Sequence, residues 1–331
     1  MFSLTVVAMT GKRFSGFAPY VASVNDAGLV AFQAALRGGG SAVFAGDGGE
    51  VEELVSRSLH AGVTSHPDLN NARDASFYGE LTRGGQGAFL YREGRLQILA
   101  EAHDAFASIG PLGPTMNEAG TVAFRGDSAD RVTGIFTSDS TAGTAVADTS
   151  GPWSRFHGLP VIIDDGTVVF RADRKDGVQG IYAGRGGSIR TVAETGERFE
   201  SLGRFPSANE RGIVAFAATL RGEGSGVFTE DNGRITCITE TDGAFEAYRG
   251  ALITNAGAVV MIATPRGGSL GLFDGPDPDA ARILALGDPL LDTAVEDFAA
   301  NPVSVNACGQ VAIRASLADG RHVILRADPA R

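Results

Sequence analysis

The sequence has 331 residues, of which 43% are hydrophobic and 20% are charged, a balance typical of a folded globular protein. Its formal net charge of −11 argues against a nucleic-acid or anionic-membrane binder, because both need a basic face, and no stretch approaches the 18 continuous apolar residues of a membrane span. The 46 glycines and the lack of long helical periodicity predict many tight turns between short strands.

The segment "SLTVVAMTGK", which starts at Ser3, contains a short apolar run. No basic region precedes this run, so it lacks the layout of a secretory signal, and we expect a cytoplasmic protein. The segment is similar to "SIRTVAETGE" and "RLQILAEAHD", which lie at the ends of later repeats. Residues 3–9 are therefore predicted to be a fourth strand displaced from its own repeat.

A turn that opens with Asn or Asp recurs along the whole chain at intervals of 45 to 51 residues. Periods of this size are typical of propellers, solenoids and repeat arrays. The turn residues, or anchors, are Asn25, Asn70, Asn117, Asp164, Asn209, Asn255 and Asn306. Six or seven positions later lie Phe32, Phe77, Phe124, Phe170, Phe216, Met261 and Ile313. Twelve positions beyond these lie Phe44, Phe89, Phe136, Tyr182, Phe228, Phe273 and Leu325.

Each repeat contains short apolar runs bounded by Gly, Asn and Asp, which predicts four short antiparallel strands. The last repeat ends at "HVILRADPAR" without a fourth strand, and residues 3–9 supply it. This exchange closes a ring and seals two sheet edges, which an open array does not need. We therefore predict a single all-β domain over residues 1–331. It is a seven-bladed β-propeller of four-stranded antiparallel blades, with the N-terminal strand as the outer strand of the last blade.

The repeat resembles that of a family of bacterial tandem-repeat proteins with an Asn-x-x-Val-x-x-x-Phe-like signature. Here the signature runs from Asn25 to Phe32, from Asn117 to Phe124 and from Asn209 to Phe216. The resemblance covers nearly the whole chain. It implies the propeller architecture and no particular activity.

Most repeated residues have a structural interpretation. The anchors are expected to bond nearby backbone amides, and the two hydrophobic columns to pack between neighbouring blades. The turn between the second and third strands carries an arginine in every repeat, including Arg131 and Arg174. These arginines are either solvated turn residues or an anion-attracting rim around one mouth of the tunnel.

Function is expected where the repeats differ, on the links from each fourth strand to the next first strand. Four of the five histidines lie in the links of consecutive blades, and histidine is the natural proton carrier near neutral pH. The candidate catalytic residues are His66, His103, His157 and Asp104. The candidate substrate-binding residues are Trp153, Arg155, Arg131, Arg174, Arg204, Tyr20, Tyr248 and Arg249. For each histidine the alternative is an exposed loop residue, and for Trp153 it is a packing role between blades.

These residues favour an enzyme that uses acid–base chemistry, of lyase, cyclase or hydrolase type, on a small anionic metabolite at the tunnel mouth. The alternative is a non-catalytic module that binds a small molecule or a protein. No phosphate loop, zinc spacing or nucleophile elbow is present, so no cofactor is predicted, and a divalent metal has no motif to support it. We expect a small-molecule ligand, no nucleic acid or membrane partner, and a monomer or weak homo-oligomer.

Overall fold

Seven antiparallel sheets follow one another along the chain in the computed structural model, which describes residues 2–56, 58–139, 143–222, 224–241 and 243–330. Each sheet is one blade of a β-propeller, and its second strand pairs with the first and third strands. In blades one, two, three and five the first strand is split into two short pieces, both paired with the second strand. The described part of the chain contains no helix long and apolar enough to cross a lipid bilayer.

The strands of the first four blades are numbered in chain order after the N-terminal strand β1 (Phe2–Met9). Blade one contains β2 (Phe14–Gly16), β3 (Ser23–Val24), β4 (Val30–Leu36), β5 (Ser41–Gly46) and β6 (Glu52–Val55). Blade two contains β7 (Gly62–Val63), β8 (Asp68–Leu69), β9 (Ala75–Glu80), β10 (Gln86–Arg92) and β11 (Arg95–Glu101). Blade three contains β12 (Phe106–Ile109), β13 (Thr115–Met116), β14 (Val122–Ser128), β15 (Thr133–Ser138) and β16 (Thr144–Asp148). Blade four contains β17 (Trp153–Ile162), β18 (Val168–Arg174), β19 (Gln179–Arg185) and β20 (Ser188–Glu194).

The last three blades continue the same order. Blade five contains β21 (Phe199–Leu202), β22 (Ser207–Ala208), β23 (Val214–Leu220), β24 (Ser225–Asp231) and β25 (Arg234–Glu240). Blade six contains β26 (Phe245–Ile253), β27 (Val259–Pro265), β28 (Gly271–Phe273) and β29 (Arg282–Ala285). Blade seven contains β30 (Pro289–Leu290), β31 (Thr293–Ala299), a short 3-10 helix (Pro302–Ser304), β32 (Val311–Leu317) and β33 (His322–Pro329), with β1 at its outer edge.

The N-terminal strand closes the ring as the sequence predicts. β1 pairs antiparallel with β33 from Phe2 opposite Pro329 to Met9 opposite Val323. The neighbouring blade is tied in as well, since Nη1 of Arg326 donates to the carbonyl oxygen of Gly28 at 2.7 Å. The predicted seven-bladed architecture and its closure are thus confirmed.

The two hydrophobic columns lie directly opposite each other on the second and third strands of every blade, as Phe32 and Phe44 do in blade one. Each pair also lies in a buried cluster with residues of the blade before it. In blade two, Phe77 and Phe89 lie in one buried cluster with Ala31 of blade one. Burying each of these side chains contributes roughly 1.5–3 kcal/mol, which makes the columns the main cohesion between blades.

The repeat register differs from the predicted one in two blades. In every blade the N–H of the anchor residue donates to the carbonyl oxygen four positions on. In blades four and six this residue is Ile163 or Thr254, so the assignment of Asp164 and Asn255 as anchors is wrong by one residue. With this correction the hydrophobic residue of the second strand lies seven positions after the anchor in all seven blades. The error arose because Asp164 and Asn255 resemble the Asn of the other turns.

Candidate functional site

One mouth of the propeller, the ring mouth, is formed by the residues that directly follow the anchors. Six of their side chains each accept a hydrogen bond from the backbone N–H of the equivalent residue in the preceding blade. The N–H of Asp26 donates to Asn71 at 2.8 Å, and that of Glu118 donates to Asp164 at 2.9 Å. The ring-mouth residues are Asp26, Asn71, Glu118, Asp164, Glu210, Asn255 and Ala307. Their polar groups are therefore used to join the blades.

The ring mouth is acidic. Burial raises the pKa of Glu118, and the charges of Asp164, Asp26 and Asp74 add to the effect. Burial also raises the pKa of the nearby Asp68 carboxyl to about 7, although the backbone N–H groups of Met116 and Leu69 bond to it. Among the residues that the structure describes, no group of three or more His, Cys, Asp or Glu is arranged to hold a metal ion.

The opposite mouth receives the links between blades and contains a cavity of about 770 Å³, here called the mouth cavity. Polar and aromatic side chains enter it from two sources, the links and the second strands. The links contribute Tyr20 and His66, and the second strands contribute Tyr78, Arg125 and Asp127. The remaining lining residues are Pro19, Val21, Thr64, Gln86, Ser108, Ile109, Gly110, Pro111, Leu112, Leu159, Phe205, Ala299, Ala300 and Asn301.

A column of second-strand side chains supplies the unusual chemistry of this face. It lies eight positions after each anchor and consists of Gln33, Tyr78, Arg125, Arg171, Ala217, Ile262 and Arg314. Five of them have a buried polar atom with no hydrogen-bond partner among the described residues: Gln33 Oε1, Tyr78 Oη, Arg125 Nε, Arg171 Nε and Arg314 Nε. Leaving such a group unpaired costs roughly 1–3 kcal/mol, so a site that binds a polar ligand is one explanation for retaining it.

His66 lines the mouth cavity as a buried, neutral ring. Its Nδ1 lies 3.3 Å from the carbonyl oxygen of Pro67, and a carbonyl only accepts, so Nδ1 carries the proton of the neutral ring. Nε2 is buried and has no partner among the described residues. Burial lowers the pKa of His66 to about 4, which keeps the imidazole neutral near pH 7.

Tyr78 contributes a hydroxyl group to the wall of the same cavity. The side chain is 1% exposed, and its hydroxyl lies near the backbone and guanidinium of Arg125 without forming a hydrogen bond of normal geometry. Burial raises the pKa of Tyr78, and the positive charge of Arg125 only partly opposes this, so the phenol stays protonated near neutral pH.

Asp127 stays ionised beside Arg125. Burial alone would raise the pKa of Asp127, but the hydroxyls of Ser108 and Thr133 donate to its two oxygens at 2.6 Å each, and Arg125 adds a positive charge. Together these interactions lower the pKa. The mouth cavity is therefore lined by a guanidinium group, an ionised carboxylate, a neutral imidazole and a neutral phenol.

A second cavity of about 400 Å³, the arginine cavity, adjoins the first and shares Pro111, Leu112 and Arg125 with it. Arg155, Arg171 and Arg204 also line it. Among the described residues, none of these four arginines forms an ion pair within 4.0 Å.

The charges of the arginine cavity act on one another. Burial lowers the pKa of Arg171; the nearby carboxylate of Asp173 opposes the shift, and the like charges of Arg155 and Arg204 add to it. Asp173 is shared with His157, whose Nε2 lies 2.7 Å from Asp173 Oδ2. Two carboxylates, Asp173 near Arg171 and Asp127 beside Arg125, therefore act on four guanidinium groups, which leaves a net positive charge that can bind an anion.

The structure brings five of the candidate residues to these cavities. Tyr20 and His66 line the mouth cavity, and His157, Arg155 and Arg204 line the arginine cavity. All five lie on the links or first strands, where the sequence pattern places function.

Other candidate residues lie elsewhere. His103 and Asp104 are exposed in the turn after β11. Trp153 is 5% exposed and packs on Tyr182, with ring centroids 4.4 Å apart, so its alternative role in packing matches its position. None of these side chains lines either cavity.

The remaining candidates also lie outside both cavities. Tyr248 is buried and shares a 2.7 Å hydrogen bond with Thr239, and Arg249 is exposed on β26. Arg131 is exposed at the turn after β14. Arg174 pairs with Asp176 at 2.7 Å and lies 3.4 Å from Glu194, so its charge is balanced locally.

Five residues of the two cavities and their surroundings were not predicted from the sequence: Tyr78, Arg125, Asp127, Arg171 and Asp173. The signal that marks them is present in the repeat. Seven positions after each anchor the residue is hydrophobic in every copy, whereas eight and ten positions after it the copies differ and several are charged. Side chains two apart on a strand share a face, so these charged positions point together.

Comparison with known proteins gives the fold but not the activity. Residues 113–249 match a family of unknown function, DUF7453. No curated protein sequence matches the chain. An oligogalacturonate lyase in complex with manganese is similar over 100% of this chain and 98% of its own, with a TM-score of 0.64 and 10% identity. The oligogalacturonate lyase of Vibrio parahaemolyticus is similar over 100% of this chain and 99% of its own, with a TM-score of 0.58 and 10% identity.

The β-propeller domain of the Trilobed protease from Pyrococcus furiosus is a third similar structure. It has a TM-score of 0.60 and 11% identity over 98% of this chain and 94% of its own. That domain is described as having an open velcro topology, whereas β1 fastens blade seven here. At these identities the likeness concerns the propeller fold alone.

Proposed function

We propose that the protein is an enzyme that binds a small anionic organic molecule across the mouth and arginine cavities and transforms it by acid–base chemistry. The observation that supports this most is the cluster of Arg125, Arg155, Arg171 and Arg204, which have no ion-pair partners among the described residues, in a protein of net charge −11. Guanidinium groups bind carboxylates and phosphates with paired, charge-assisted hydrogen bonds. The two nearby carboxylates, Asp173 and Asp127, do not balance four such groups.

The proposed chemistry begins with the ligand's anionic group on the arginines. Neutralising a carboxylate makes an adjacent C–H bond more acidic, which favours proton removal there. His157 is the proposed base, because a carboxylate oxygen of Asp173 accepts from its Nε2–H and leaves Nδ1 with the free lone pair. Tyr78 is the proposed proton donor to the leaving group, and His66 accepts a hydrogen bond from the ligand.

The similar solved structures include oligogalacturonate lyases, so this fold is compatible with lyase chemistry. The likeness supports a lyase-type reaction among the acid–base reactions above without adding to the evidence for any residue. The alternative is a module that binds the same anion without turning it over. His66 favours this alternative, since a pKa of about 4 makes it an acceptor rather than a base.

Calorimetric titration tests the anion site. Gluconate, citrate and phosphate are compared with neutral sorbitol on the wild type, on the double variant Arg155→Ala/Arg204→Ala and on Arg234→Ala. Arg234 is an exposed arginine at the start of β25 and serves as the matched control. We expect at least one anion to bind the wild type and Arg234→Ala, and to bind the double variant about 10- to 100-fold more weakly. Binding that is equal in all three proteins contradicts the proposal.

Turnover separates the enzyme from the binding module. Mass spectrometry of sugar acids and other carboxylates incubated with the protein is expected to detect a product, with His157→Ala slowing its formation while ligand affinity changes little. Binding without any product, over a broad panel, favours the non-catalytic alternative.

A further inference from the structure

Three cavities adjoin in a row across the mouth. The mouth cavity shares Pro111, Leu112 and Arg125 with the arginine cavity on one side. On the other side it shares Thr64 and Gln86 with a third cavity of about 550 Å³. The row runs from blade two to blade five, and we call it the groove. A groove of this extent has room for a ligand longer than the anionic group that the arginines hold.

Charge is distributed unevenly along the groove. The arginine cavity at one end carries four guanidinium groups, as described above. The third cavity, at the other end, is lined by Glu80 and by small or uncharged residues, with no arginine or lysine among its described lining residues. A ligand that fills the groove therefore carries its negative charge at one end and an uncharged body towards blade two.

The middle of the groove has the chemistry of a hydroxyl-binding surface. Gln86 and Thr64 are hydrogen-bonded to each other at 3.2 Å, and both present further donors and acceptors to the two cavities that they separate. Tyr20 and Phe205 are partly exposed rings that line the mouth cavity. Ring faces contact the C–H faces of a sugar, while hydroxyl and amide groups bond its hydroxyls.

We infer that the ligand is an acidic oligosaccharide of two or more units that binds with its acidic end in the arginine cavity. The inference rests on the proposed function and narrows its substrate class. The mouth cavity by itself falls in the size range that encloses a whole drug-sized ligand, so the groove holds more than one sugar unit. The acidic unit sits beyond Pro111 and Leu112, and the neutral units extend past Tyr78 towards Gln86.

Sugar acids of increasing length test this arrangement because they add neutral units at constant charge. The probes are gluconate, maltobionate and maltotrionate, each with one terminal carboxylate, and neutral maltotriose. On the wild-type protein we expect affinity to rise about 10-fold or more from gluconate to the longer acids. Maltotriose, which has the length without the charge, is expected to bind about 10-fold or more weakly than maltotrionate.

Two variants locate the two ends of the ligand. Gln86→Ala is expected to weaken the longer acids about 5- to 10-fold and to leave gluconate unchanged, because only the longer acids reach blade two. Arg155→Ala/Arg204→Ala is expected to weaken all three acids. Equal affinities for the three acids, or no response to Gln86→Ala, overturn the inference while the anion site of the proposed function stands. If no anion of the earlier panel binds either, the proposed function falls together with the inference.

Discussion

The two mouths of the propeller use polar residues in opposite ways. At the ring mouth, each blade contributes an equivalent residue, and six side chains bond the backbone of the preceding blade, as Asn255 bonds Glu210 at 3.0 Å. At the cavity mouth, equivalent positions carry different residues, and Tyr78, Arg125 and Arg171 have buried polar atoms with no partner among the described residues. A repeated polar residue whose bonds are satisfied belongs to the fold, whereas unsatisfied polar residues that also line a cavity, as Tyr78, Arg125 and Arg171 do, support a ligand site.

The contrast is sharpest within a single short segment of blade two. His66 faces the cavity mouth and Asp68 faces the ring mouth, two residues apart, and both are at least nine-tenths buried. Burial lowers the pKa of His66 to about 4 and raises that of Asp68 to about 7. Burial therefore favours the uncharged form of both groups, which is the neutral imidazole for His66 and the protonated carboxyl for Asp68.

The largest predicted effect is on the pH dependence of stability. Asp68 has a raised pKa, so its contribution is complete below pH 3.8 and is lost as pH rises through about 7. His66 has a lowered pKa, so its contribution is complete above pH 6.5 and is lost as pH falls through about 4. In the wild type the contributions of these two groups oppose each other between about pH 4 and 6.5.

Single variants separate these slopes. For Asp68→Asn the free energy of unfolding is expected to rise with pH between about 4.5 and 6.5, and for His66→Asn it is expected to fall. Each slope approaches about 1.4 kcal/mol per pH unit, the limit for one proton. Urea unfolding at several pH values measures both. If the free energy of unfolding changes with pH in the same way in both variants, the opposite pKa shifts assigned to Asp68 and His66 are contradicted.

The next effect concerns Arg125, at the wall that the two proposed binding cavities share. Arg125→Met is expected to weaken binding of an anionic ligand about 10- to 100-fold. The expected loss of stability is small, because Arg125 has no ion pair within 4.0 Å among the described residues and Asp127 keeps its hydrogen bonds from Ser108 and Thr133. Arg314→Met is the matched control in the same column of blade seven. Its guanidinium pairs with Asp297 at 3.1 Å, so this variant is expected to lose stability and keep ligand affinity. Calorimetry and urea unfolding measure both; equal ligand affinity in Arg125→Met and wild type contradicts the assignment.

Tyr78→Phe is expected to have a smaller effect, which raises stability and lowers ligand affinity. Removing an unsatisfied buried hydroxyl raises the free energy of unfolding by about 1 kcal/mol, while ligand affinity or turnover falls about 10-fold. In Tyr182→Phe the lost hydroxyl is one that donates to Glu194 at 2.9 Å, so this control is expected to lose stability. A Tyr78→Phe variant that is less stable than the wild type indicates that the hydroxyl is satisfied within the protein.

The smallest predicted effect is at the ring mouth. Ala307 is the one ring-mouth residue without a polar side chain, so it offers no side-chain acceptor to the backbone N–H of Asn255. Ala307→Asn is expected to supply this acceptor through its side-chain oxygen. The free energy of unfolding should rise by about 0.5–1 kcal/mol, without any change in ligand affinity. Asn71→Ala, which removes an existing acceptor for Asp26, is expected to lower it by a similar amount.

The fold was predictable because each repeat carries the same packing information. The hydrophobic columns at constant spacing define the second and third strands in every blade, and the missing last strand identifies β1 as its replacement. The register failed only at Ile163 and Thr254, where the anchor side chain is not Asn and the next residue imitates it. At these two turns the predicted alignment followed the side chains of Asp164 and Asn255, which resemble the Asn of the other turns, although the backbone turn begins one residue earlier.

The candidate site was predictable only in part, for a physical reason. His66, His157 and Arg204 could be predicted as candidates because they lie on links whose sequences differ between the repeats. Arg125 and Tyr78 lie on second strands, which the hydrophobic columns mark as core. Whether the alternate face of such a strand meets a neighbouring blade or a cavity depends on the packing of the whole ring, which periodicity does not contain.

A crystal structure of the protein with maltobionate tests the central claim most directly. The account predicts density in the mouth and arginine cavities, with the carboxylate within hydrogen-bonding distance of Arg155 or Arg204 and the neutral sugar towards Tyr78. A ligand seated at the ring mouth, or one whose carboxylate points away from the arginines, contradicts it.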